Sequence, residues 1–93
     1  MQREDPKCLL TIQCPLDKKT FNLVAISPDK KCIVTTISQS IYFYSLEGKL
    51  LHTIEKAHED GTISSLVFTL DSQYIVTCTQ MEHTSRVWKN PVK

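Results

Sequence analysis

The sequence is poor in glycine and has no long apolar run. Gly48 and Gly61 are its two glycines among 93 residues, too few to build a glycine-rich loop of the kind that cradles nucleotide phosphates. Its apolar runs reach about four or five residues, whereas a transmembrane helix needs roughly 18. We therefore expect neither a nucleotide site nor a membrane span.

An excess of charge of one sign is also missing. Eleven Lys and Arg residues face ten Asp and Glu residues, and the basic residues come no denser than pairs such as Lys18-Lys19. Binding nucleic acid through its phosphates requires a larger basic patch. The polar, acidic start from Gln2 to Asp5 does not resemble a secretory signal. We expect a cytoplasmic or nuclear protein that meets nucleic acid only as part of a complex.

Residues for metal binding, disulfides or catalysis lack their usual spacing. Four cysteines are present without a C-x-x-C pair, so reduced structural thiols are favoured over a disulfide framework. His52, His58 and His83 do not form with these cysteines the closely spaced pairs that bind zinc. No serine lies in a G-x-S-x-G elbow. We expect no metal, no cofactor and no enzymatic activity.

An internal repeat of 42 residues is the strongest feature of the sequence. Three matched pairs show this offset: Leu9 and Leu51, Thr11 and Thr53, Ile12 and Ile54. The offset becomes 44 where Phe43-Tyr44 aligns with Val87-Trp88, because two residues have been added near residues 81–83. Repeats of this length are typical of propellers and other arrays of one structural unit.

Each repeat unit predicts four β-strands, because its apolar and β-branched runs are short and are bounded by turn residues. The predicted strands are 8–13, 21–26, 32–36 and 41–45 in the first unit, and 50–55, 63–68, 74–78 and 85–89 in the second. Pro28-Asp29 and Asp71-Ser72 mark equivalent tight turns. No window has a helical apolar stripe, so the sequence predicts an all-β fold.

The second unit carries the residues of a known repeat. Ala57-His58 stands near its start, Asp71 lies in its turn, and Val87-Trp88 ends its last strand. In this pattern the chain resembles the WD-repeat family, whose units run from Gly-His through a Ser-Pro-Asp-Gly-like turn to Trp-Asp and form the blades of β-propellers. The first unit is degenerate, because Pro15-Leu16 and Tyr44-Ser45 stand at the Gly-His and Trp-Asp positions.

The resemblance implies an incomplete WD40-type β-propeller over residues 1–93. Two antiparallel four-stranded blade units are expected, with about seven to eight strands in all and with the repeats at 7–48 and 49–90. Each unit begins with the outermost strand of the preceding blade, so the chain would supply one outer strand, one whole blade and three strands of another. Closed propellers have typically about 4 to 8 blades. We expect further blades or self-association to complete this one.

The resemblance also implies an internal hydrogen-bonded network. Family blades are often tied by a set of His, Ser or Thr, Asp and Trp. His58, Trp88 and either Thr77 or Thr79 match this set. The Asp has no counterpart, because Gln80-Met81-Glu82 occupies that turn, so a partial network is expected.

The function implied by the resemblance is a non-catalytic scaffold for protein–protein interaction, as a fragment or short form of a longer propeller protein. The alternative is a subunit of a ribonucleoprotein assembly, such as the machinery that processes ribosomal RNA. Exposed loops would bind the other proteins or peptides. The candidate contact residues are Lys18, Lys19, Glu59, Asp60, Glu82 and His83.

Overall fold

Seven β-strands make up the part of the fold that the structure describes. A computed structural model describes residues 11–12, 20–82 and 84–92. The strands are β1 (Leu23–Ile26), β2 (Cys32–Ile37), β3 (Ser40–Ser45), β4 (Leu50–Ile54), β5 (Ile63–Phe68), β6 (Tyr74–Thr79) and β7 (Ser85–Lys89). No helix long and apolar enough to cross a membrane occurs in these described ranges. The prediction of an all-β fold is confirmed.

The strands form two antiparallel sheets. The first sheet has the order β1-β2-β3-β4 and the second the order β5-β6-β7. The register places Val34 opposite Phe43 in the first sheet and Val76 opposite Val87 in the second. Over the residues that the structure describes, neither sheet closes on itself. The prediction of antiparallel sheets is therefore confirmed.

The first sheet has four described strands and the second has three, the division expected if each repeat unit begins with the outermost strand of the preceding unit. The reason is the pairing of β4, which begins the second repeat unit but hydrogen-bonds to β3 and so becomes the fourth strand of the first sheet. Of the predicted strand at 8–13, Thr11 and Ile12 are described and do not form a strand. The rest of that prediction lies outside the described residues.

The same tight turn joins the first two strands of each sheet. Between β1 and β2 the Ser27 hydroxyl donates to Asp29 Oδ1 at 2.6 Å, and between β5 and β6 the Thr69 hydroxyl donates to Asp71 Oδ1 at 2.6 Å. The residue after each aspartate has a positive φ, 59° in the first turn and 61° in the second. Short polar side chains that bond to a nearby backbone favour such turns. The 42-residue repeat is thus visible in three dimensions.

The core lies between the inner faces of the sheets, meaning the faces that contact each other. Alternate residues of β2 and β3 in the first sheet point towards Ile63 and Ile75 of the second. The fully or almost fully buried members of this core are Cys32, Val34, Ile41, Phe43, Ala57, Ile63 and Ile75. Burying one large aliphatic or aromatic side chain stabilises a fold by about 1.5–3 kcal/mol. This shared core fixes how the sheets sit against each other.

Candidate functional site

A buried histidine forms the centre of a polar network at one end of the second sheet. His58 follows β4 in the segment that connects the two sheets, and its side chain is fully buried. His58 Nε2 lies 2.7 Å from the Thr77 hydroxyl oxygen. Trp88 Nε1 donates to the same oxygen at 2.9 Å. The segment before the second sheet is thereby bonded to β6 and β7.

Strand alternation explains why these side chains meet. Thr77 and Thr79 are two residues apart on β6, so both point to the inner face of the sheet. Trp88 pairs with Ile75 on the neighbouring strand and shares that face. Thr77 bonds to the histidine, whereas the Thr79 hydroxyl accepts from the Glu82 N–H at 3.1 Å. The two threonines that the sequence left as alternatives therefore have different partners.

Glu82 supplies the carboxylate of the network. Its Oε2 atom lies 3.0 Å from His58 Nδ1 and accepts from the backbone N–H groups of Glu59 at 3.2 Å and Asp60 at 3.4 Å. Its other oxygen accepts from Arg86 Nη2 at 3.2 Å. Only 12% of the Glu82 side chain is exposed. One carboxylate thus ties the loop before β5 to the loop before β7.

The Glu82 carboxylate is the acceptor at one end of the network. Burial raises the pKa of the Glu82 carboxyl, but hydrogen bonds from the Asp60 N–H and His58 and the charge of Arg86 outweigh it, so the pKa lies below its ordinary value. An ionised carboxylate only accepts, so His58 Nδ1 carries a proton. The series of hydrogen bonds runs from Trp88 through Thr77 and His58 to the Glu82 carboxylate.

Arg86 adds a second tie across the same end of the sheet. Its Nη1 atom donates to the Ala57 carbonyl at 2.7 Å. Ala57 also donates its N–H to the Gln39 carbonyl at 2.7 Å, which connects the segment to the first sheet. The side chain of Arg86 is 36% exposed, so its ion pair with Glu82 is partly screened by solvent. The hydrogen bond from Arg86 to the Ala57 carbonyl therefore contributes more to this connection than the ion pair does.

The chemistry of the network is that of a structural connection. Both ring nitrogens of His58 are engaged, and the ring is inaccessible to solvent. A proton transfer or metal bond at His58 would first require breaking one of these hydrogen bonds. Among the described residues, no group of three or more His, Cys, Asp and Glu side chains could hold a metal ion. The arrangement holds the loops before β5 and β7 together.

The loop before β5 presents two of the predicted contact residues. Glu59 and Asp60 are exposed, while their backbone N–H groups bond to Glu82. The Glu59 carbonyl accepts from Gln39 Nε2 at 3.1 Å. Glu82, also predicted as a contact, lies mostly inside the network. The predictions for Lys18, Lys19 and His83 lie outside the described residues.

In the first sheet, the position equivalent to Thr77 has no bond of this kind to a described residue. Thr35 stands 42 positions before Thr77 and Tyr44 stands 44 positions before Trp88. The Thr35 hydroxyl is buried and has no hydrogen-bond partner among the described residues. A cavity of about 370 Å³ lies near this face, lined by Ile37, Ser38, Gln39, Ser40, Tyr42, Glu55 and Lys56. Its lining mixes both charges and gives no preference for one ligand class.

Glu82 and Arg86 are the members that the sequence analysis did not place. The network contains a glutamate where an aspartate was sought, and it lies in the stretch 81–83 where two residues have been added. A signal was nevertheless present, because Glu82 is the one acidic residue between β6 and β7. Comparison with known proteins adds nothing to this assignment: neither the family models nor the curated proteins gave a match to the chain.

Proposed function

We propose that the chain is part of a WD-type β-propeller and acts as a non-catalytic scaffold that binds a protein or peptide through the loop at 57–61. The observation that carries this proposal is the order of the network, in which Trp88, Thr77 and His58 bond in series to a carboxylate. This order resembles the hydrogen-bonded set of WD blades, with Glu82 in place of the usual aspartate. The fixed turns of both sheets support the same assignment.

The network prepares the loop for binding. Two backbone N–H groups and one histidine hold the loop on a single carboxylate oxygen, while the side chains of Glu59 and Asp60 stay exposed. A loop that is already ordered loses less conformational entropy when a partner binds. Two adjacent acidic side chains favour a partner with a basic segment through charge complementarity. The proposed partner is therefore a protein or peptide rich in Lys or Arg.

The test is a comparison of partners captured by matched charge-reversal variants. Tagged wild-type chain, Asp60→Lys and Glu47→Lys would be expressed in the source cells, and captured proteins quantified by mass spectrometry. Both residues are exposed turn acids, but Glu47 lies in the β3–β4 turn outside the network. We expect a partner with a basic segment to be lost with Asp60→Lys and kept with Glu47→Lys. Equal capture by all three would contradict the proposal.

Ribonuclease treatment separates the alternative function within the same experiment. Partners of a scaffold remain after RNA is digested, because protein surfaces make the contact. Members of a ribonucleoprotein assembly held through RNA are released, and their retention falls as salt rises. Loss of every Asp60-dependent partner on digestion would favour the ribonucleoprotein assignment over direct protein binding.

A further inference from the structure

Each sheet leaves apolar side chains uncovered on its outer face, meaning the face turned away from the other sheet. On the second sheet Val67 is 60% and Val87 is 65% exposed, with the half-buried Val76 between them. On the first sheet Val24 is 69% and Ile26 is 56% exposed. Contiguous exposed apolar side chains mark interaction surfaces more often than isolated ones do.

The exposed positions of the second sheet have buried counterparts in the first. Val76 aligns with Val34 at an offset of 42, and Val87 aligns with Phe43 at an offset of 44. Val34 and Phe43 are fully buried against the second sheet. The outer face of the second sheet thus repeats the face with which the first sheet packs inside the molecule.

The exposed positions of the first sheet show the converse relation. Val24 aligns with Leu66 and Ile26 with Phe68, both at an offset of 42. Leu66 and Phe68 pack against the core from the second sheet. The uncovered part of the first sheet therefore repeats the face that receives a sheet inside the molecule. The exposed part of β1 and the outer face of the second sheet are thus the two complementary parts of an interface that the chain already forms once. On the rest of the first sheet's outer face, Tyr42 and Tyr44 are buried and pack against Ile12 and Phe21.

We propose that a second copy of this chain docks head to tail, with Val24 and Ile26 of one copy against Val67, Val76 and Val87 of the other. The occupant is specified by the repeat, since each open face matches the other face of the same chain. The contact joins two different faces and is heterologous, so further copies close a ring or extend an array. This inference is independent of the loop-binding function.

The experiment measures the mass of the full chain by light scattering over a concentration series. One variant blocks the second sheet (Val67→Asp with Val87→Asp) and another blocks the first (Val24→Asp with Ile26→Asp). We expect the wild-type mass to rise with concentration and each variant alone to remain monomeric. Mixing the two variants should restore a one-to-one dimer, because one intact face of each kind is then present.

Controls keep folding separate from association. Circular dichroism and Trp88 fluorescence check that each variant keeps the wild-type fold. If the aspartates unfold the chain, Val67→Thr with Val87→Thr replaces them, since threonine suits strands, and at least tenfold weaker association is expected. Leu70→Asp, at a largely exposed turn residue, should leave association unchanged.

Three results would overturn the proposal. A wild-type chain that stays monomeric at every concentration shows that no second copy binds. If the variant Val24→Asp with Ile26→Asp associates as strongly as the wild-type chain, the second sheet does not bind the first sheet of another copy. Folded variants that form no dimer when mixed show that the two faces are not complementary.

Discussion

The two sheets share their turn but differ in what fills the space beside it. Each turn has a hydroxyl-to-aspartate bond of 2.6 Å and a positive φ at the next residue. Beyond the turn, Thr77 of the second sheet bonds to both Trp88 and His58, whereas the equivalent Thr35 bonds to nothing that the structure describes. Both sheets thus share the turn, and the network is an additional feature of the second sheet that bonds the loop at 57–61 to β6.

Aromatic packing takes the place of the network in the first sheet. Tyr42 and Tyr44 are buried on its outer face, and Phe21 meets Tyr44 edge to face with ring centroids 6.4 Å apart. Such a cluster depends on contact area and tolerates exchange among apolar residues of similar volume. A hydrogen-bonded chain does not, because losing one member leaves the others buried without partners. The second sheet should therefore be the more sensitive to single substitutions.

The largest expected effect is the loss of the central histidine. We expect His58→Ala to lower the free energy of unfolding by about 3–4 kcal/mol, because it leaves a cavity and removes the partners of Thr77 and Glu82. The matched change in the first sheet is His52→Ala, at an exposed ring whose centroid lies 5.9 Å from that of Phe43. The His52→Ala change should lower the free energy of unfolding by about 0.5–1 kcal/mol. Urea titrations followed by Trp88 fluorescence measure both, and equal losses would remove the distinction between the sheets.

The paired threonines give the next largest difference. Thr77→Val keeps the side-chain volume but leaves Trp88 Nε1 and His58 Nε2 without their shared partner, and should cost about 2–3 kcal/mol. Thr35→Val removes a buried hydroxyl that has no partner in the described part of the chain. It should be neutral or stabilising by up to about 1 kcal/mol. Thermal and urea unfolding of both variants test the sign, and destabilisation by Thr35→Val would show that its hydroxyl is bonded.

Local patterns in the sequence predicted most of the strands and several of their ends. The predicted strands at 63–68 and 85–89 match β5 and β7, and those at 32–36 and 74–78 end one residue before β2 and β6 do. Alternating apolar residues and turn signals determine these bounds, and both are local. The pairing of β4 with the preceding sheet was predictable only through the family resemblance, because sequence alternation does not say which strand is the neighbour.

The network shows where local patterns stop being informative. His58, Trp88 and either Thr77 or Thr79 were expected together from the family resemblance. Glu82 was sought as an aspartate at a fixed place, and it is one methylene longer and displaced by an insertion. A longer side chain reaches His58 from a shifted position, which depends on loop geometry that a sequence pattern does not contain.

A smaller difference is expected at the two glycines. Gly61 before the second sheet and Gly48 in the first both have positive φ, 78° and 90°. A Cβ atom on Gly61 would lie 2.7 Å from Met81 Cγ. We expect about 1–2 kcal/mol of destabilisation for Gly61→Ala and about 1 kcal/mol for Gly48→Ala. The additional destabilisation of Gly61→Ala over Gly48→Ala should disappear when Gly61→Ala is combined with Met81→Ala, because the side chain in contact is then shortened. If the additional destabilisation persists, the strain lies in the backbone. Urea titrations of the single and double variants measure it.

The smallest expected effect is the acid dependence of the two lowered carboxyl pKa values. The Ser27 hydrogen bond lowers the pKa of Asp29 in the first sheet, and the network lowers that of Glu82 in the second. Each carboxyl binds protons less readily in the folded chain than in the unfolded chain. Its contribution to stability is therefore complete above the ordinary pKa of about 4 and is lost as pH falls through the lowered value.

Substitution by neutral isosteres allows the contributions of the two carboxylates to pH-dependent stability to be compared. Urea midpoints would be measured from pH 7 to pH 3 for the wild-type chain, Glu82→Gln and Asp29→Asn. Both variants should lose less stability on acidification than the wild-type chain does. Glu82→Gln should flatten the acid side of the curve more, because Glu82 accepts from His58, Arg86 and two backbone N–H groups, whereas Asp29 accepts from one hydroxyl and one N–H. A curve for Glu82→Gln as steep as that of the wild-type chain would mean that this carboxylate is not held by the network in solution.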